Sequence, residues 1–275
     1  MTARSQGRDT RRSGQKTVYV YGILPGDVEL DSGVTGVGDP PGEVRLVRHR
    51  DLAALVSDVD LGTPLGRPDD LVAHEELLDS AAADVPVLPL RFGAVMGSDE
   101  AVAAELLGAH HDEFAAALEQ LEGHTEYVVK GRYAEDAILR EVLAESQQAA
   151  GLAGQIRGAD PDATRELRIQ LGEIINNAVA AKREEDTREL GGALEGLAAA
   201  SAARQPTHEL DAVYVALLVE TGKAEDLEDA VGRLAQQWRG RIELRLIGPM
   251  AAYDFTGNAA AAPEAQPASS PGAAS

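Results

Sequence analysis

An α+β fold in two domains is what this sequence predicts, and three observations predict it. Short runs rich in β-branched and aromatic residues, at 17–24, 212–219 and 242–247, read as strands. Longer runs repeat apolar residues every three or four positions, at 69–83, 99–121 and 160–203, and read as helices. Up to residue 134 the elements follow in the order β–ββ–α–β–α–β, which, with one hairpin strand removed, approaches the split succession of ferredoxin-like folds. The expectation is therefore an N-terminal ferredoxin-like domain at 17–134, a sheet with helices on one face. A C-terminal α+β domain at 135–257 follows, with a long helical arm at about 160–203. A basic tail at 1–16 and an Ala/Pro-rich tail at 258–275 bury too little apolar area to order themselves.

The first strand (TVYVYGIL) is apolar on both faces, hence central, and stops at Pro25 and Gly26. Gly22 interrupts it, which marks a bulge or a close approach of another backbone. Residues 27–42 are a Gly/Pro-rich loop with a short strand near 34–37. Residues 44–48 and 54–59 pair as a hairpin. Asp69 or Asp70 caps the helix that follows, whose apolar positions Leu71, Val72, Leu77, Leu78 and Ala81 oppose His74, Glu75, Glu76 and Asp79. Next comes the stretch Ala83 to Gly93 (ADVPVLPLRFG). Pro86 and Pro89 remove two backbone donors, so this stretch runs along a sheet edge. Arg91 stands inside its apolar run, and such a charge needs a carboxylate or carbonyl partner, because an unpaired buried cation is very costly. The helix at 99–121 then presents Val102, Leu106, Leu107, His110, Phe114, Leu118 and Leu121, and residues 126–133 make a further strand.

In the second half a short helix at 135–145 leads into a Gly/Ala/Gln region at 147–158. Asp160 and Pro161 start the long helix, where Lys182 to Arg188 (KREEDTR) is charged all round and predicts a solvated turn or a break. Residues 212–219 form a central strand and 224–239 a helix with Leu227, Val231, Leu234 and Trp238 along one stripe. Residues 242–247 (IELRLI) alternate cleanly, with Ile242, Leu244 and Leu246 inward.

Charge and composition exclude several functions. The net charge is −21 and aromatic residues are 4% of the chain. Polyanions are repelled, few rings are left to stack on bases, and neither nucleic acid nor an anionic membrane is expected as partner. Residues 1–16 carry a net charge of +4, so the remainder is more acidic still. No cysteine is present, which removes disulfides, thiol nucleophiles and thiolate metal sites and fits the cytoplasm. Arg11 and Arg12 are followed by no apolar export segment, and no apolar window reaches membrane-spanning length.

The chain spells no catalytic, cofactor or metal site. Glycine-rich phosphate loops and Gly-x-Ser-x-Gly are absent. His74, Glu75 and Glu76 resemble half of a zinc-protease helix, but Leu78 stands where the second histidine belongs. Ser98 and Asp99 are placed to cap a helix. A small-molecule enzyme on a ferredoxin-like scaffold, monooxygenase-like or haem-handling, is the alternative from another class; it needs a pocket with His74 or Arg91 directed inward. A third possibility is an interaction module whose 160–203 arm binds a helix.

Five stretches occur in an order that resembles the gas vesicle protein F/L family. They are Tyr19-Val20-Tyr21-Gly22; Val87-Leu88-Pro89-Leu90-Arg91-Phe92-Gly93; Val129-Lys130; Ala212 to Val215 with Leu217 to Val219; and Gly248-Pro249 followed by Tyr253-Asp254-Phe255. The resemblance spans residues 17–257, apart from poor agreement over 144–206. At the end the family has Gly-Pro-x-Pro-Pro-Tyr, and here Ala251 and Ala252 replace the later prolines. It implies a two-domain α+β protein without enzymatic activity or cofactor. Such a protein is a minor component or accessory factor in forming gas vesicles, hollow protein shells in the cytoplasm. The implied partners are the small hydrophobic shell protein, whose assembly it helps to nucleate, and other gas vesicle accessory proteins. Leu88, Leu90, Arg91, Phe92, Tyr253 and Phe255 are the expected partner-binding residues. The edge strands at 85–93 and 242–247 are the means by which a client's own sheet edge would be capped.

Overall fold

The computed structural model describes residues 17–60, 62 and 65–257; the expectations for the two tails fall outside them. The chain forms an α+β fold with two antiparallel sheets in two compact units, the second of which runs from Gly123 to Phe255.

The first unit is built on β1 (Thr17–Pro25), which pairs with β3 (Leu52–Val59) on one side. β2 (Val44–His49) closes a hairpin with β3, and Arg50 takes the turn at φ 55°. After α1 (Pro68–Ala82) the double-proline stretch supplies β4 (Leu88–Pro89), and the residues just beyond it supply β5 (Val95–Met96), both to the free side of β1. Pro89 therefore lies on an edge strand, as its missing donor requires. The register of β1 shifts between Val20 and Gly22, and a Cβ on Gly22 would stand 2.9 Å from the Leu88 carbonyl oxygen and 2.9 Å from a methyl of Leu78. Both readings of this glycine thus hold. Gly22→Ala is expected to push β4 off β1 and lower stability by about 1–3 kcal/mol, measurable by thermal denaturation.

Opposite residues on neighbouring strands share a face, and successive residues alternate. Ser57 bonds Tyr21 on the α1 face, while Arg45, opposite Val56, reaches Asp99 at 2.6 Å on the other. α2 (Asp99–Ala101) and the π-helical turn Val102–Gly108 consequently lie on the far face, so the first sheet is covered on both sides instead of one. α3 (His111–Leu121) resumes after a break at His110, which splits the single helix expected at 99–121. α1 begins at Pro68 with Arg67 at the N-cap; Asp70 acts one turn in, accepting the backbone N–H of Gly38 (3.2 Å), Gly66 (3.1 Å) and Arg67 (3.0 Å).

β6 (His124–Tyr133), expected to close the first sheet, is instead a central strand of the second. It pairs with β8 (Asp211–Glu220) and β9 (Ile242–Met250). Between β6 and β8 come α4 (Glu135–Glu145), α5 (Gln147–Ile156), α6 (Arg165–Ala193) and the edge strand β7 (Ala198–Ala203); α7 (Ala224–Gln237) precedes β9. The order β7-β8-β6-β9 with a helical crossover in each half is the complete split β-α-β-β-α-β succession. The ferredoxin-like arrangement assigned to the N-terminal half is thus realised in the second unit. The first unit repeats its strand order with a loop, residues 26–43, in place of the first helix.

One face of the second sheet, with Tyr127, Val129, Val213, Val215, Leu217 and Ile242, packs on Ile138, Val142, Val179, Leu190, Leu227 and Leu234 of α4, α6 and α7. Each such side chain contributes about 1.5–3 kcal/mol by leaving water. The charged run 182–188 neither breaks α6 nor is wholly solvated. Lys182 and Asp186, four residues apart, both face inward. Lys182 bonds Glu141 (2.6 Å) and Glu145 (2.7 Å), and Asp186 meets Tyr133 Oη (2.5 Å) and Arg241 (2.7 Å).

Candidate functional site

The expected partner-binding residues fall in two places, the first four in the first unit and Tyr253 and Phe255 in the second. Along the double-proline segment, side chains alternate between core and surface. Leu88 and Leu90 are fully buried, and the Leu90 N–H donates to the Tyr21 carbonyl at 2.9 Å. Neither leucine offers surface to a partner; both hold the segment in place. Arg91 is exposed at the start of a turn, its carbonyl accepting the Ala94 N–H, and no described residue forms an ion pair with it. The premise that this guanidinium needs a buried partner is thereby corrected. Phe92 is half-buried with its ring edge against Tyr19 (5.8 Å) and His74 (5.5 Å).

The tyrosines of β1 explain why the stretch from Tyr19 to Gly22 matters. Tyr19 Oη accepts the Gly93 N–H (3.0 Å) and contacts His74 Nδ1 (3.0 Å). Tyr21 Oη accepts the Val37 N–H (2.8 Å) and bonds Ser57 Oγ (2.7 Å). Each hydroxyl ties a loop to the sheet. His74 points inward, yet its ring stacks on Tyr21 at 5.7 Å between Tyr19 and Phe92, so aromatic rings occupy the space beside it. Burial pushes its pKa from 6.5 down to about 4, against a smaller opposing effect of the Leu90 carbonyl. The unfolded chain therefore binds a proton near pH 6.5 that the folded one refuses until about pH 4. Stability from this group is complete above the higher value and falls as pH drops through the window, by up to about 3 kcal/mol. Urea titrations across that window should show the slope in the wild type and its loss in His74→Leu.

Tyr253 and Phe255 are the first and last residues of a 3₁₀ turn and are half-buried. Their segment is held by groups that sequence reading passed over. Glu126, fully buried on β6, accepts the Asp254 N–H through Oε2 (2.9 Å) and an Arg204 N–H through Oε1 (2.8 Å). Arg204 also bonds the Asp254 carboxylate (2.8 Å from Nε) and packs on the Tyr214 ring. One guanidinium thus faces two carboxylates. Burial, reinforced by Asp254, raises the pKa of Glu126. The available signal was an acid placed at the head of an apolar strand (EYVV).

β9 is the second sheet's edge on the side away from β7, bonded to β6 alone. Its inward residue Ile242 is buried, whereas Glu243, Arg245 and Ile247 are exposed, Ile247 to 43%. Among the described residues no group of His, Asp and Glu is arranged to hold a metal ion, and no helix is long and apolar enough to cross a membrane.

Comparison with known proteins places these features in a family. The family model described as gas vesicle synthesis protein GvpL/GvpF matches residues 17–257. Gas vesicle protein F of a Streptomyces species (strain CB03234) is 35% identical over 244 residues, 87% of this chain and 99% of that protein. Gas vesicle protein L of the same strain is 27% identical over 275 residues, 89% and 94% of the two chains. The crystal structure of the gas vesicle protein GvpF from Anabaena sp. PCC7120 shares the fold, with a TM-score of 0.72 at 23% identity over 88% of this chain and 98% of that one. With its entire described length matched by the family model and a relative aligned nearly from end to end, the chain belongs to the GvpL/GvpF family of gas vesicle proteins.

Proposed function

We propose that this protein is a gas vesicle assembly factor of the cytoplasm that binds the hydrophobic shell protein and supports nucleation of the vesicle. In this reading it acts by covering a client surface and carries out no bond-making chemistry. A shell subunit that exposes apolar surface and sheet edges aggregates unless these are covered. The observation that carries the reading is β9, an edge strand nine residues long with exposed Ile247. Strand addition along it supplies main-chain hydrogen bonds, and the alternating side chains supply selectivity. The double-proline segment offers much less edge, since β4 is two residues long. Tyr253 and Phe255 are proposed as further contacts on the second unit, and Arg91 and Phe92 as a separate contact on the first, with Leu88 and Leu90 acting from the core. The net charge of −21 keeps a complex with a sticky client in solution.

The experiment is deletion of the gene and complementation. Cells lacking the protein should form no buoyant vesicles, the wild-type gene should restore flotation, and Ile247→Asp should restore it poorly. Normal flotation in the deletion strain would sink the proposal.

A further inference from the structure

The first unit lacks a helix that the second unit has. Between β6 and β8 the second unit places α6 beside α7, and Glu189 of α6 accepts from Gln237 Nε2 (2.8 Å) and Trp238 Nε1 (3.3 Å) at the end of α7. In the first unit α1 takes the place of α7, between the third strand and the fourth, but the connection from β1 to β2 is the loop 26–43. That loop lies flat on the sheet. Val37 is buried with its N–H on Tyr21 Oη, and Gly36 sits so close to the same hydroxyl that a Cβ has no room. A groove of about 570 Å³ remains between residues 34–41 and the face of α1 that carries Asp69, Ala73, Glu76 and Leu77.

The groove is apolar at its floor and acidic at its rim. Val34, Ala73 and Leu77 line it and are only half-buried. Val72, 49% exposed, lies between Asp69 and Glu76 on the helix surface, three and four residues from them. Arg67, the cation of the lining, pairs with Asp39 (3.1 Å), and Asp70 is occupied by the backbone N–H groups of Gly38, Gly66 and Arg67. Asp69 and Glu76 are exposed, with no ionic partner among the described residues. Seven residues apart on one helix, they are offset by about 10 Å along its axis.

We propose that this groove receives an amphipathic helix of a partner protein, its aliphatic ridge against Val72, Ala73 and Leu77 and two lysines or arginines, seven residues apart, on Asp69 and Glu76. The second unit indicates the shape of the occupant, because it fills the matching place beside α7 with a helix. The small side chain of Ala73 lets a second helix axis approach to the usual spacing of about 8–10 Å. A packed helix has the same rise as α1, so cations at i and i+7 reach both acids at once. Charge complementarity sets the sign: a basic ridge pairs with Asp69 and Glu76, and an acidic one is repelled by them. The inference does not rest on strand addition at β9, and either can fail without the other.

The test is titration of the ¹⁵N-labelled full chain with an acetylated, amidated helical peptide, following the Ala73 and Leu77 amides. The peptide carries a leucine stripe flanked by lysines seven residues apart, with alanine and glutamine elsewhere. Saturable shifts are expected. Asp69→Asn combined with Glu76→Gln should weaken binding by about fivefold or more. Glu105→Gln combined with Glu119→Gln, an equal change of net charge at exposed positions of the same unit, should bind as wild type. A cooperative thermal transition of the first double variant confirms that it is folded. The proposal is overturned by an absence of saturable shifts, by undiminished binding to that folded variant, or by equal weakening in the two pairs. Equal binding of the peptide interrupted by two prolines overturns it as well. Residues 1–16, of net charge +4, are the rival occupant. If replacing their five basic residues by glutamine moves the same amides without peptide, the groove belongs to the chain itself and the proposal falls.

Discussion

Leu90→Asp is expected to yield no soluble folded protein, whereas Arg91→Glu, one residue further on, folds like the wild type. Leu90 has no exposed surface. A carboxylate there loses the leucine's packing and buries an unpaired charge, together about 4 kcal/mol or more, a large part of a domain's stability. The Leu90 N–H also bonds Tyr21, so expelling the side chain strips β4 from β1. Arg91 is exposed, and its replacement should change stability by no more than about 0.5 kcal/mol. Circular dichroism and chemical denaturation of the two variants measure this directly. A folded Leu90→Asp would mean that the segment is not part of the core.

Arg204→Ala is expected to free the Tyr253–Phe255 turn and to destabilise the protein increasingly as pH rises. Removing one partner of a buried ion pair costs about 3–5 kcal/mol when the remaining charge stays buried. Glu126 has a second recourse, protonation. Its folded pKa already lies above the unfolded value, so the folded state holds a proton that the unfolded state releases, and stability falls as pH rises through that interval. Without Arg204 the interval extends further upward. The loss should therefore be modest near about pH 6 and approach the full figure near about pH 9. Urea midpoints at the two pH values, with proteolytic sensitivity of residues 251–257, provide the check. Equal losses at both values would remove the buried carboxylate from the explanation.

Much of the fold was legible because its signals were local. The strands expected at 17–24, 54–59 and 242–247 announce themselves by β-branched content and alternation and are found at 17–25, 52–59 and 242–250, and the short helix at 135–145 is found as α4. The failures share a cause, namely partners distant in sequence. β7 (AAASAA) is made of the best helix former and was read as helix; pairing with β8 overrides that preference. α5 was hidden by its glycines, and the Ser146 hydroxyl that accepts the Ala149 N–H marks its start. The run 182–188 looked solvated because the carboxylates that receive Lys182 lie on α4, and β6 joined the wrong sheet because adjacency in the chain does not reveal pairing. Of the candidate site, the motif residues were legible but their orientation was not. Nothing local shows that Leu90 packs in the core and offers no surface to a partner, or that Glu126 and Arg204 hold the turn at Asp254 in place.

Amide hydrogen exchange along β9, with and without the gas vesicle shell protein, tests the covering of a client edge most directly. If strand addition is the mode of binding, the outward-facing amides of residues 242–250 slow markedly when the shell protein is added, and Ile247→Asp abolishes the effect. Stoichiometric capture of the shell protein with exchange along β9 unchanged would contradict it.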